Sequence, residues 1–337
     1  MNIIFFRIIK FFFILAISIF FLEILLRISD QNCYSILPIY FDNGHSTLIK
    51  NESFCVKYTG HPKSIYKTDK FGIRVNNKES QNNGFENLLI GDSQAMGYGI
   101  NFEDHFLFKY LDNNNLGNLK ILATPHNDIK SINSFVQNNN FKFDKYKKIF
   151  IMFNLGIDLD RFVFGWQNNW NNSNNFIEIQ FFKYFRLYPY LKNIYLKLKK
   201  YHFTFRPSIN PYFDYITNQE ANYLIDEIIK QYSIFFDNYK ITNYEFIVIA
   251  PAWYIDNNQI NKYKSYYSDY QFDNLKKNLP HYVERMENNI NYFKQVLDRK
   301  GFKNTIIDKI IFHDEDIFHI NNYHLNLKGH EKISNVL

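Results

Sequence analysis

Five short apolar runs punctuate the chain, at residues 87–90, 119–123, 148–153, 245–250 and 305–307. Each is continuous rather than alternating, as expected for strands covered on both faces of a parallel sheet. Amphipathic stretches fall between them. Residues 218–236 carry Ala221, Leu224, Ile225, Ile228, Ile229 and Tyr232 at spacings of three and four, a one-sided helical stripe. Residues 281–300 repeat the pattern with Val283, Met286, Ile290, Phe293, Val296 and Leu297. Pro280 reads as the first turn of that helix and Gly301 as its stop. Alternating strands and helices predict an α/β domain, a parallel sheet with helices on both faces. Ligands of such sheets bind at the carboxyl ends of the strands. Ser93, residues 154–158 and Pro251-Ala252-Trp253 all follow strand runs, so they are expected on one rim.

The N-terminus has a different pattern. Residues 11–22 are apolar or small without interruption, and Ile24-Leu25-Leu26 extends them. Arg7 and Lys10 precede the run, the charge arrangement that leaves the following chain on the exported side. Glu23 is read at the outer headgroup boundary, the alternative being a buried polar partner. No Ala-x-Ala cleavage site is present, so the segment is expected to stay as an anchor. The chain divides into an anchor over 1–29, a polar, turn-rich lead-in over 30–85 and an α/β domain over 86–337. An insertion at about 159–217 interrupts the domain with an Asn-rich loop and a run of aromatic and basic residues. That insertion is read either as helices packed by their own aromatics or as a cap that stacks a sugar or lies on a membrane.

The 337 residues suffice for one large domain plus an anchor. The formal charge of +6 is spread along the chain, whereas nucleic-acid binders cluster their basic residues, so no nucleic-acid partner is expected. Only Cys33 and Cys55 are present, without Cys or His neighbours at zinc-ligand spacing. A disulfide between them is permitted on the exported side, and the sequence leaves the pairing open. His313, His319, His324 and His330 follow no ligand pattern, and Gly91 to Gly99 lacks the ending of a phosphate loop. Neither a metal nor a cofactor is expected.

The candidate chemistry lies in two segments. The run 87–90 leads directly into Gly91-Asp92-Ser93-Gln94-Ala95-Met96-Gly97, which places Ser93 between a strand end and a helix start. There its hydroxyl is presented and backbone N–H groups face a developing oxyanion. Near the C-terminus stands Asn321-Asn322-Tyr323-His324-Leu325-Asn326-Leu327-Lys328-Gly329-His330, with Asn326 able to cap a last helix and His330 inside that helix as a structural residue. These segments resemble the first and last blocks of the SGNH (GDSL-type) hydrolases. Thr68-Asp69-Lys70-Phe71-Gly72-Ile73-Arg74 is similar to a segment of that superfamily's membrane-anchored bacterial branch. The resemblance covers about residues 66–337 apart from the insertion.

The resemblance implies a flavodoxin-like three-layer αβα sandwich behind an N-terminal transmembrane helix. It implies Ser93 as nucleophile and His324 as base. The orienting acid is replaced: Asn322, or less directly Asn321, stands where the family has Asp, and Asp314 or Asp316 is an upstream alternative. The implied oxyanion donors are the Ser93 N–H, the backbone N–H of His126 and the Asn154 side chain. The segment Ala123-Thr124-Pro125-His126-Asn127 lacks the family's glycine, and Ile157 occupies the usual Asn position. The implied function is an esterase or acyl hydrolase, tethered by a single pass to the bacterial inner membrane with its domain on the periplasmic side, acting on an acylated glycan or another ester. The alternatives are an O-acyltransferase on an exported polysaccharide and a non-catalytic glycan-binding or envelope-assembly protein.

Overall fold

The computed structural model describes residues 2–29, 33–34, 37–42, 44–57, 62–76, 86–125, 127–155, 218–249, 269–307, 317–319 and 322–337. Helix α1 (Asn2–Ser29) leads the chain, followed by a hairpin of β1 (Ile39–Asp42) and β2 (His45–Leu48). Strands β3 (Ser53–Val56), β4 (Ser64–Thr68) and β5 (Arg74–Val75) come next. Then β6 (Glu86–Gly91), the one-turn helix α2 (Ser93–Met96), α3 (Phe106–Asn113), β7 (Asn118–Ala123), α4 (Ile129–Asn139) and β8 (Tyr146–Asn154) follow. The last part holds α5 (Asn218–Tyr239), β9 (Tyr244–Ile249), α6 (Asp269–Arg299), β10 (Asn304–Ile307), a ribbon of β11 (Ile317–His319) and β12 (Asn322–Leu325), and α7 (Leu327–Ser334).

The main sheet has eight strands in the order β10-β9-β8-β6-β7-β5-β4-β3. Strands β6 to β10 are mutually parallel. Their order is second, first, third, fourth and fifth from the β7 side inward and out to β10, which is the flavodoxin-like arrangement. The five apolar runs of the sequence are these five strands. Alternate residues of one strand face opposite layers: Leu88 and Ile90 pack with α4, α5 and α6, while Leu89 packs with α2, α3 and α7. Phe135, Ile225, Ile229 and Phe293 fill the first layer, and Met96, Phe106, Leu107 and Ile333 fill the second. Each such side chain, fully buried, contributes roughly 1.5–3 kcal/mol.

Two expectations change. The lead-in supplies β3, β4 and β5, which extend the sheet antiparallel from β7. The stretch Tyr66 to Arg74 reads in sequence as a short strand and turn, and β4 with the turn at Asp69–Gly72 bears that out; that these short strands join the main sheet carries no signal in a polar stretch. Helix α6 starts at Asp269, so Pro280 lies in its interior rather than at its first turn. Leu275, Lys276, Lys277 and Leu279, just before Pro280, are good helix formers that favour continuing the helix despite the hydrogen bond that proline removes.

Cys33 and Cys55 form a disulfide with Cα atoms 4.6 Å apart. Tyr34 continues the tie by bridging to Val56 and bonding its N–H to the Cys55 carbonyl at 2.8 Å. The segment expected to be an anchor is helix α1, with Phe11, Phe12, Phe13, Phe20, Phe21 and Leu25 exposed. Among the described residues, no helix is long and apolar enough to cross a membrane. The described side chains of α1 cover only part of its 28 residues. The insertion at 159–217 and Pro251-Ala252-Trp253 lie outside the described residues.

Candidate active site

Ser93 begins α2 directly after β6, at the carboxyl end of the sheet's central strand. The preceding residue, Asp92, is buried and caps the helix: its Oδ1 accepts from the N–H groups of Gln94 at 2.8 Å and Ala95 at 3.4 Å. Gly91 is required by space rather than by a turn of the backbone. A Cβ there would stand 2.5 Å from the Ala95 Cβ and 3.0 Å from the Met152 carbonyl oxygen. Gly97 ends α2 in the left-handed region at φ 69° and returns its N–H to the Gln94 carbonyl. Ser93 itself is 4% exposed.

A helix of one turn cannot satisfy its own carbonyls. Here other elements supply the donors. His105, fully buried at the start of α3, meets the Ala95 carbonyl through Nε2 at 2.8 Å and accepts the Leu107 N–H on Nδ1 at 3.2 Å. These partners fix the neutral tautomer with the proton on Nε2. Burial first, then the neighbouring His330 and Arg74, hold the His105 pKa well below the ordinary histidine value, against the pull of the Ala95 carbonyl. Arg74 of β5, also fully buried, donates to the carbonyls of Met96, Gly97 and Ile100. Tyr66 of β4 donates to the Gly97 carbonyl at 3.3 Å and accepts the Gly99 N–H at 2.9 Å.

His324 reaches this turn from the far end of the chain. The Leu325 N–H bonds the Gln94 Oε1 at 3.2 Å, joining residues 231 positions apart. The His324 ring stacks on Tyr98 with centroids 4.2 Å apart. Ser93 and His324 are thus each one residue from a shared hydrogen bond, which ties the β11–β12 ribbon to the Ser93 turn. Asn326 caps α7 by accepting the Lys328 and Gly329 N–H groups, as expected. His330 is buried inside α7, where its Nδ1 accepts the Phe106 N–H at 3.1 Å. Burial, with Arg74 and Lys109 adding, pushes its pKa down to about 3.

The crossovers from β6 and β8 depart to opposite faces, so the switch point of the sheet lies between these strands. A small cavity beside the strand ends is lined by residues that include Gly91, Asp92, Asn127, Met152 and Phe153; Ser93 and His324 are not part of its lining. Asn154, an expected oxyanion donor, is the buried last residue of β8 on this rim. His126 lies outside the described residues, but the loop around it is held. The Ser46 hydroxyl of β2 bonds Thr124 Oγ1 at 2.5 Å and donates to Asn127 Oδ1 at 3.0 Å. Asn321 and the Asn322 side chain, with Asp314 and Asp316, lie outside the described residues; the Asn322 backbone is the first residue of β12.

Sequence reasoning singled out Ser93 and His324 as candidates but not the residues that hold their segments. Gln94, Tyr98 and His105 carried no signal, being single polar or aromatic residues in ordinary contexts. Arg74 had one: it closes the Thr68-to-Arg74 segment quoted above.

No family model and no curated protein matches the chain. Among solved structures, the chain is similar to a lipase, Lip_vut3, from a goat rumen metagenome, at 15% identity over 74% of this chain and 94% of that one, with a TM-score of 0.39. It is similar to a member of the lipolytic protein G-D-S-L family from Veillonella parvula, at 10% identity over 75% and 95%, with a TM-score of 0.36. A third structure is BT4096, a gut microbial diltiazem-metabolizing enzyme, at 12% identity over 75% of this chain and 46% of that one, also with a TM-score of 0.36. All three superpose with TM-scores below 0.5, so Ser93 and its surroundings are judged on this chain's own geometry.

Proposed function

We propose that the chain is a serine esterase or acyl hydrolase of the SGNH type, with Ser93 as nucleophile and His324 as base. The observation that carries the reading is the Leu325–Gln94 hydrogen bond, which brings the histidine segment onto the turn that starts at Ser93. Ser93 Oγ attacks the ester carbonyl carbon while its proton passes to the His324 imidazole. The tetrahedral oxyanion collapses, and the alcohol leaves with that proton. Water then attacks the acyl-enzyme by the same route and releases the acid. The Ser93 N–H, the His126 N–H and Asn154 are the donors assigned to the oxyanion. Asn322 is assigned the imidazole N–H; an amide oxygen fixes the tautomer without offering a full negative charge.

The proposal extends to location and substrate. The Cys33–Cys55 disulfide fits an oxidising, exported setting. The outward phenylalanines of α1, with Arg7 and Lys10 before them, fit attachment to the inner membrane with the domain on the periplasmic side. An acylated surface glycan is the substrate class favoured by the aromatic and basic composition of residues 159–217. Transfer of the acyl group to a polysaccharide hydroxyl shares every step but the acceptor.

The test is turnover of p-nitrophenyl acetate by the full chain and by Ser93→Ala. Wild-type turnover that disappears in the variant supports the reading. Equal turnover in both, or none in either, removes it; the latter leaves the non-catalytic envelope protein as the better account.

A further inference from the structure

The β4–β5 hairpin comes from the lead-in, outside both chemical segments, yet two of its buried side chains, Tyr66 and Arg74, end on the Ser93 turn. Arg74 Nη1 lies 2.6 Å from the Met96 carbonyl oxygen and 3.2 Å from that of Gly97, and Nη2 lies 2.5 Å from that of Ile100. Its guanidinium stacks over the Tyr66 ring at 4.1 Å and faces Phe102 at 5.7 Å. The Tyr66 hydroxyl bridges the Gly97 carbonyl and the Gly99 N–H. Burying a cation is costly. Here converging carbonyl oxygens and an aromatic face replace its water.

The arrangement is specific to the shape of arginine. Two nitrogens of one rigid plane serve carbonyls at 96, 97 and 100 together; an ammonium is a point charge on a flexible stem and cannot span them. The fit is tight: a Cβ on Gly97 would stand 3.2 Å from Arg74 Nη1 and 2.7 Å from His105 Cδ2. Because α2 is a single turn, slack at 97–100 passes directly to Ser93.

We propose that Arg74, with Tyr66 as its platform, is a positioning residue that sets the Ser93 turn for attack. The kinetic part of this proposal rests on the esterase reading; the structural part does not. A displacement of about 1 Å at a nucleophile can cost about 10²-fold in rate.

The experiment uses the full chain and two variants, Arg74→Lys and Tyr66→Phe. The first keeps the charge and loses the fork, and the second removes only the bridging hydroxyl. Two quantities are read well below each variant's melting midpoint: kcat and KM for p-nitrophenyl acetate, and amide hydrogen exchange over residues 93–100 against that of α5. The expected result for Arg74→Lys is a kcat about 10²-fold lower with KM unchanged, and faster exchange confined to 93–100. Tyr66→Phe should move the same quantities in the same direction by a smaller factor. Wild-type kcat in the folded variants overturns the proposal, and so does wild-type exchange over 93–100. If Arg74→Lys does not fold, Tyr66→Phe decides by the same readings. If the wild type shows no Ser93-dependent turnover, the esterase reading fails on its own, and exchange alone supports or overturns the role of Arg74.

Discussion

Ser93 stands on a turn gripped from β4, β5 and the start of α3, whereas His324 stands on a two-stranded ribbon that leans on that same turn. The first is fixed by the sheet and its lead-in: Asp92, His105, Arg74 and Tyr66 answer its backbone groups one by one. The second is located through Gln94 and Tyr98, both of which belong to the Ser93 turn. The difference teaches a dependence. The His324 segment takes its place from the Ser93 turn, so damage to the turn displaces both groups, while damage to the ribbon displaces one.

The largest effect that separates the two regions comes from His324→Ala. It should lower kcat/KM roughly 10⁴-fold and cost less stability than a truncation in the core, since the ring is only partly buried where it stacks on Tyr98. Ester hydrolysis and a thermal melt check this, and a variant with near-normal turnover would remove His324 from the mechanism. Next comes Gln94→Leu, which leaves the Leu325 N–H buried without its acceptor, a cost of about 1–3 kcal/mol in urea unfolding. If the base is held through this bond, kcat should fall about tenfold as well, equivalent to about 1.4 kcal/mol. A stability loss with unchanged kcat would show that the ribbon finds its place without Gln94.

The smallest effect is a dependence on pH. His105 and His330 are neutral in the folded chain, with pKa values held below the ordinary one by burial and by Arg74 and other nearby cationic groups. In the unfolded chain imidazoles titrate near 6.5, so below that pH the unfolded state binds protons that the folded state does not. Stability is therefore highest above about 6.5 and falls as the pH drops, down to about 3, where His330 itself takes a proton. Melting midpoints between pH 7 and 5 should decline in the wild type and decline less steeply in His330→Gln. Equal slopes would mean that the tie between α3 and α7 does not titrate in this way.

Much of the fold could be read from the pattern of residues, for reasons that differ between elements. The strands β6 to β10 are covered on both faces, so their apolar runs mark them without help from neighbours. Helix α5 shows a stripe because one face is buried and the other is wet. The start of α6 was hidden by Pro280, whose local rule the surrounding helix overrides. A strand and turn at Tyr66 to Arg74 could be read, but the place of β3 to β5 in the main sheet was hidden, because it is decided by the pairing of β5 with the sequence-distant β7. At the site, Ser93 and His324 were visible because each sits in a dense local motif. Arg74 and His105 were not assigned, because a charged or titratable residue in the core looks in sequence like one on the surface.

The sequence by itself therefore determined the five parallel strands, helix α5, the turn at Ser93 and the cap at Asn326, because each depends on residues within a few positions of one another. Only the tertiary structure decided that a lead-in hairpin would hold that turn, that the histidine segment would dock on Gln94, and that Cys33 would meet Cys55. Those outcomes depend on where chain-distant surfaces come to rest, and that is fixed by which apolar faces bury one another rather than by any local signal.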